Sequence, residues 1–338
     1  MSNVFSRDRA RGCLLGQAIG DALGTTNEFR RLRADPFPRL NSGPQVEIMG
    51  GGPFGVALGQ VTDDTQMAAC IAASLSENKG LDVDDLARRY VAWSRVAFDI
   101  GNQTRSTLER VASGTSPRDS GYEVWAGASQ PAGNGSLMRQ SPFSVYFARD
   151  PMALRRSVLA DGAITHADPR CQLACVGFAA ALRIAIVDAE ATPALLARAA
   201  SEEIRAARSE LDSRVEAALA DSAVAALLED LELATADDPE LEGEVHLYRT
   251  QGFVRVAFRL AFWELHHADT FEQAVLDVAN RGGDSDTNGA ITGALLGALL
   301  GESKIPERWR LAVMNALEGE SGPFATTYHP AELFRVIE

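Results

Sequence analysis

The sequence predicts an all-α protein. Three observations carry that expectation. Apolar residues recur every three or four positions in segment after segment. Convincing strand alternation is missing, and there is no run of βα units and no Gly-x-Gly-x-x-Gly following a strand. With 338 residues, 46% hydrophobic and 23% charged, the chain has an ordinary globular composition and can bury a sizeable core. A disordered tail, a collagen-like repeat and a disulfide-dense scaffold are excluded.

The elements follow in order. Arg9–Gly24 has helical apolar spacing at Cys13, Leu14, Ala18 and Leu23, with glycines at 12, 16, 20 and 24. Glycines four apart make a smooth strip on one helix face. Each costs roughly 1 kcal/mol relative to Ala, so close packing of another helix must compensate. Gly43–Gly59 and Ser113–Gly135 read as long glycine- and proline-rich loops, which are more often functional than incidental. Gln66–Glu77, Val83–Arg95, Leu173–Asp188, Val254–His267, Phe271–Asn280 and Ala290–Leu300 are predicted helices. No domain boundary or fixed-period repeat is visible, so 1–338 reads as a single domain. Within it, residues 201–244 hold 14 acidic and 3 basic residues and form an acidic helical elaboration with apolar positions at Leu211, Val215, Leu219, Val224, Leu227 and Leu231.

The chain has 32 Lys+Arg against 46 Asp+Glu, a net charge of −14. That balance argues against nucleic acid or an anionic membrane as partner. A phosphate-bearing ligand is still allowed, because backbone N–H groups and metal ions bind phosphate without a basic surface. Cys13, Cys70, Cys171 and Cys175 suggest no disulfide framework. Cys171 and Cys175, one helical turn apart, read as small buried residues; the alternative is a redox pair or half a metal site. The opening MSNVFSRDRARG lacks a signal-peptide apolar core, and the apolar stretch 290–300 is short and glycine-rich for a bilayer span. These features predict a cytoplasmic monomer.

Two acidic clusters share one design. Thr62-Asp63-Asp64-Thr65 and Asp284-Ser285-Asp286-Thr287 each place two carboxylates and hydroxyls just ahead of an apolar helix. Helix capping accounts for one such residue, two at most. It does not account for adjacent like charges, which repel unless a cation lies between them. Oxygen donors without His or Cys select Mg²⁺, Mn²⁺ or Ca²⁺. Further polar signals are Glu28 at the end of the glycine-faced helix, Phe98-Asp99-Ile100-Gly101-Asn102, the loop Gly133-Asn134-Gly135-Ser136, and Thr165-His166-Ala167-Asp168. Successive N–H groups in the glycine loop suit an anion. Each signal alone also reads as a turn, a cap or a surface residue. No Gly-x-Ser-x-Gly, P-loop or His-Glu-x-x-His occurs, so covalent serine or cysteine catalysis has no support.

The order and wording of these segments resemble the ADP-ribosylglycohydrolase family, which includes the dinitrogenase reductase-activating glycohydrolases and the ADP-ribosyl-arginine hydrolases. The matching residues are GQAIGDALGTTNEF (16–29), VTDDTQMA (61–68), FDIGNQTR (98–105), GNGSLMR (133–139), THAD (165–168) and GGDSDTNGAITGALLGA (282–298). The resemblance implies a compact orthogonal helical domain with two divalent cations, Mg²⁺ or Mn²⁺. It implies Thr62, Asp63, Asp64, Asp284, Asp286 and Thr287 as metal ligands and Asp99 and Glu28 as catalytic acids. Asn102, Gly133, Asn134, Gly135, Ser136, His166 and, as an adenine platform, Phe253 would bind ADP-ribose. The implied reaction is metal-dependent removal of ADP-ribose from an arginine of a modified protein. Rival readings are hydrolysis of ADP-ribosyl-serine or O-acetyl-ADP-ribose, an ADP-ribose-binding module without turnover, and a non-enzymatic relative.

Overall fold

The computed structural model describes residues 4–127, 129 and 131–337; residues 1–3 of the opening segment, 128 and 130 of the second predicted loop, and 338 lie outside it. Among the described residues the protein is all-α, as expected, with isolated β-bridges and no sheet. In chain order the helices are α1 (Arg7–Gly24), α2 (Asp63–Asn78), α3 (Val83–Ser94), α4 (Asn102–Ala112), α5 (Pro117–Gly127), α6 (Ser141–Tyr146) and α7 (Pro151–Thr165). They continue with α8 (Pro169–Val187), α9 (Pro193–Ala207), α10 (Ala217–Leu233), α11 (Val254–His267), α12 (Phe271–Arg281), α13 (Ser285–Leu300) and α14 (Glu307–Met314).

The core is built on α1, α13 and α8. The glycine strip of α1 meets a second strip, Gly289, Gly293 and Gly297, on α13. A Cβ on Gly12, Gly16, Gly20 or Gly24 would run into the backbone of Gly297, Gly293, Gly289 or Ser285 respectively. The pairs run in opposite order, so the helices are antiparallel and the end of α1 lies on the start of α13. Ser285 Oγ donates to the terminal carbonyl of α1 at Gly24 (2.7 Å). This seam places the end of α1 beside the second acidic cluster.

Several boundaries differ from the sequence reading. Helix α2 starts at Asp63 rather than Gln66, and α13 at Ser285 rather than Ala290. Asp63, Asp64 and Asp286 therefore stand inside the first helical turn rather than ahead of it. Helix α13 is buried nearly all round, so its pattern carries little periodicity from which to read a start. The stretch expected as loop 113–135 contains α5. Helices α7, α8 and α9 begin with proline after Asp150, Asp168 and Thr192, a start signal that the apolar spacing, which places only α8 and starts it at Leu173, does not use. By length and composition α8 is long and apolar enough to cross a membrane, but it is mostly buried inside the protein. Residues 201–244 cover the end of α9, α10 and the loop beyond. Asp230 on α10 is buried between Arg255 (2.7 Å) and Arg259 (2.7 Å) of α11.

Candidate active site

Six helices are capped by their own preceding side chain: Ser6, Asp82, Asp150, Asp168, Thr192 and Thr270 each accept a backbone N–H of the first turn. Among the helices without such a cap, α2 and α13 are the two that carry the acidic clusters. Neither Thr62 nor Asp284, their N-cap residues, makes such a bond. The start of α2 is capped instead from α1. Asp21 accepts the N–H of Thr62 (2.9 Å), the hydroxyl of Thr62 (2.9 Å) and the N–H of Thr65 (3.1 Å). At α2 capping is thus taken over by a residue from another helix, and Asp63 and Asp64 are left for other work; at α13, Asp284 accepts from Asn134 and Asp286 accepts the N–H of Thr287. Asp21 was not among the residues singled out by sequence. Its signal, a lone acid on a glycine-faced helix, gains meaning only once α2 is placed against it.

The acids converge on one cleft of about 370 Å³. Asp63, Asp284, Asp286 and Thr287 line it; Thr62 and Asp64 lie fully buried behind it, with Thr62 Oγ1 3.1 Å from Asp64 Oδ2. Glu28 and Asp99 reach the same cleft, and one carboxylate oxygen from each of Glu28, Asp99 and Asp286 lies within 4.8 Å of the others. Glu28 is set by its neighbours: Asn27 Nδ2 donates to Ala279 O (2.9 Å) and Gln45 Oε1 (2.7 Å), and Phe29 N donates to Gly283 O (2.6 Å).

Burial pushes every one of these acids upward, and repulsion from neighbouring carboxylates adds to it at Glu28, Asp63, Asp64, Asp99 and Asp286. Burial, then the charges of Asp99 and Asp284, raises Glu28 to about 9. Burial, then Asp284 and Asp21, raises Asp99 to about 7. Burial is also the first cause for Asp63, Asp64 and Asp286, all pushed well up, and for Asp284 and Asp21, the last to about 6. The charge of Asp286 feels Asp64, which lies 222 positions earlier in the sequence, as well as Glu28, Asp284 and Asp99. Two oxygens, Glu28 Oε2 and Asp64 Oδ1, are buried without a hydrogen-bond partner. An all-oxygen set with unpartnered lone pairs and concentrated negative charge fits hard divalent cations.

The glycine loop forms the adjoining wall. Asn134 Nδ2 donates to Asp284 Oδ2 (2.7 Å), which ties the loop to the acids. Backbone bonds Asn134 N to Gly252 O (3.0 Å) and Val254 N to Ala132 O (2.9 Å) tie it to the start of α11. A Cβ on Gly135 would sit 3.0 Å from His166 Cε1, and one on Gly133 3.3 Å from His166 Nε2, so both glycines make room for the imidazole. His166 is held uncharged by burial and by Arg139, and its Nδ1 lies 2.8 Å from Thr165 Oγ1. Beneath it, fully buried Arg139 pairs with Asp161 (3.0 Å) and donates to Thr165 Oγ1 (2.9 Å) and Gly135 O (3.2 Å). Sequence reasoning missed this pair. It also missed Gln103, which donates to Thr165 O (3.1 Å) and accepts Gly133 N (3.3 Å).

Asn102, Gly133, Asn134, Gly135 and His166 all line the cleft, whereas Ser136 is buried behind the loop. Phe253 is paired with Gly133 by a β-bridge, and the Arg170 guanidinium lies 5.3 Å above its ring. Cys171 and Cys175 are free and buried; their thiols donate to Gly133 O (3.2 Å) and Ser136 Oγ (3.4 Å) under the loop.

Comparison with known proteins agrees with this arrangement. The chain is 30% identical over 315 residues to the ADP-ribosylarginine hydrolase Tri1 of Serratia proteamaculans, covering 90% of this chain and 75% of that protein. It is 27% identical to the ADP-ribosyl-[dinitrogen reductase] glycohydrolase of Rhodospirillum rubrum, covering 95% of each. Among solved structures, a chain of an ADP-ribosylglycohydrolase-related protein complex superposes with a TM-score of 0.68 at 28% identity, over 98% of each chain. Residues 2–329 match the sequence signature of the ADP-ribosylglycohydrolases, and the chain belongs to that family.

Proposed function

We propose that this protein hydrolyses the N-glycosidic bond between ADP-ribose and an arginine side chain of a modified protein, with two divalent cations, Mg²⁺ or Mn²⁺. The observation that carries the reading is the meeting of both acidic clusters, with Glu28 and Asp99, in one cleft beside a glycine loop. The names of the relatives supply the arginine linkage.

Thr62, Asp63, Asp64, Asp284, Asp286 and Thr287 would hold the ions. When bound, these supply Lewis-acid charge and fixed coordination for the ribose hydroxyls. The rest of the chemistry falls to the chain's own groups. In the glycine loop the N–H groups of Gly133 and Asn134 already donate to Gln103 and Gly252, so the diphosphate would take those of Gly135 and Ser136, with neutral His166 against the loop. Phe253, bridged to Gly133 at the edge of that loop and outside the cleft lining, would serve as the adenine platform. Asn102 fixes the ligand near Asp99. Hydrolysis at the anomeric carbon passes through a cationic, oxocarbenium-like transition state. Water adds to the anomeric carbon as the bond to the guanidine nitrogen breaks; the Asp99 carboxylate balances the developing positive charge and passes the proton that the water loses to the departing nitrogen. Glu28 closes the cleft over the acids. The chain acts as one domain, a cytoplasmic monomer, with 201–244 as an acidic elaboration outside the chemistry.

The test is incubation with arginine-, serine- and glutamate-linked ADP-ribose peptides, with and without divalent metal. Release from the arginine peptide alone, and only with metal, is expected. Metal-independent release, or preference for the serine peptide, contradicts the reading. Asp99→Asn should keep ADP-ribose affinity by calorimetry and lose turnover by about 10²–10⁴-fold, the usual worth of a positioned acid or base. Weakened binding with turnover of the bound substrate intact would remove Asp99 from the chemistry.

A further inference from the structure

Each of the two acids that join the clusters from outside has a phenylalanine as its neighbour in sequence: Phe29 follows Glu28 and Phe98 precedes Asp99. A third ring spans them. Phe54 lies 6.5 Å from Phe29 and 5.9 Å from Phe98, and Phe98 continues to Phe324 at 5.1 Å. The ridge is built at some cost. Phe29 lines the cleft yet is 54% exposed, and it holds a left-handed φ of 61°, a conformation disfavoured by roughly 1–2 kcal/mol for a residue with a Cβ. The bond from Phe29 N to Gly283 O fixes it there. Phe54 is carried by a glycine-rich turn locked against the residues before Glu28. Gly52 has φ of 68° and no room for a Cβ against the Thr25 carbonyl, and Thr26 Oγ1 donates to Gly50 O (3.0 Å).

We propose that the ridge of Phe29, Phe54 and Phe98 is the leaving-group subsite, seating the cationic guanidinium and methylene stem of the modified arginine. The proposal rests on the arginine-linked reading above. With the diphosphate on the glycine loop and the anomeric carbon at Asp99, the leaving group is directed to the wall lined by Glu28, Phe29 and Asp99, with the partly exposed rings of Phe54 and Phe98 continuing from Phe29 beyond the cleft lining. An arginine linked through nitrogen keeps a planar, weakly hydrated cation, which aromatic faces attract and which suits an apolar stem contact. A seryl or glutamyl leaving group brings neither. Elsewhere the protein's own guanidiniums cover rings, as Arg31 does Tyr248 and Arg139 does Tyr90. Among the described residues none covers Phe29, Phe54 or Phe98.

The test uses the full chain at a fixed high concentration of ADP-ribose, the product without a leaving group, with Mn²⁺ present. Calorimetry then compares an arginine-containing peptide with the same peptide carrying citrulline, an uncharged planar isostere. The wild type should bind the arginine peptide about five- to tenfold more tightly. Phe54→Ala should erase that preference, Phe54→Trp should keep it, and ADP-ribose affinity should hold within about twofold in both, since cation attraction is all the ridge loses. Equal binding of the two peptides by the wild type, or an unaltered preference in Phe54→Ala, overturns the proposal. Turnover is read separately. Arginine preference without hydrolysis defeats the functional reading and leaves the ridge standing; hydrolysis without preference does the reverse.

Discussion

Asp286→Ala is expected to abolish release of ADP-ribose in the presence of Mg²⁺ or Mn²⁺. Loss of a group that only orients a metal ligand costs about 10–100-fold, and Asp286 is proposed as a ligand itself, so a larger fall is expected. Asp286 stands in the middle of the cluster, within reach of the charges of Glu28, Asp64, Asp284 and Asp99. The same position predicts an opposite effect on stability. In chelator-treated buffer the variant should melt at a higher temperature than the wild type, because one member of a mutually repelling set is gone. Added Mn²⁺ should raise the melting temperature of the wild type and leave that of the variant almost unmoved, since only a folded site with its ligands gains from the metal. Full activity of Asp286→Ala in chelator would remove metal from the mechanism.

Gly20→Ala should destabilise the protein strongly, against the sign that helix propensity alone gives. In an exposed helix this change gains about 1 kcal/mol. Here the new Cβ would fall on the carbonyl of Gly289 and the backbone N of Ala290, neither of which can swing away as a side chain does. The whole α1–α13 seam must part, and overpacking of a fitted core costs about 1–3 kcal/mol or more. A urea midpoint lowered by Gly20→Ala, and lowered further by Gly20→Val, would confirm the seam. A midpoint raised by either would mean that the helices do not touch there. Activity should fall with stability, because the seam sets the end of α1, and with it Asp21 and Glu28, beside Asp284 and Asp286.

Parts of this architecture are legible in the chain. Four glycines at four-residue spacing announce a close helix contact, and Asp-Asp and Asp-x-Asp ahead of apolar helices announce the two clusters. What the chain conceals is what meets what. Gly289, Gly293 and Gly297 repeat the spacing of the first strip, but pairing them is a fact of folded space. Asp21 lies 41 positions from the Thr62 it holds, and no local pattern marks an acid that caps another helix. Arg139 and Asp161 satisfy each other 22 positions apart inside the core, where an Arg in a turn would be read as surface. Phe29, Phe54 and Phe98 look like scattered apolar residues until the glycine turn brings the second to bridge the other two. The separate roles that the resemblance assigns to Glu28 and Asp99 on one side and Asp286 on the other meet a cluster in which all three stand within ligand distance of each other.

The most direct test is an anomalous difference map from crystals grown with Mn²⁺. Two peaks are expected within bonding distance, about 2.0–2.2 Å for a small hard cation and oxygen, of carboxylates from both Asp63-Asp64 and Asp284-Ser285-Asp286. A map without manganese in the cleft, or with manganese only on exposed acids such as Asp237, Asp238 and Glu240, would contradict it.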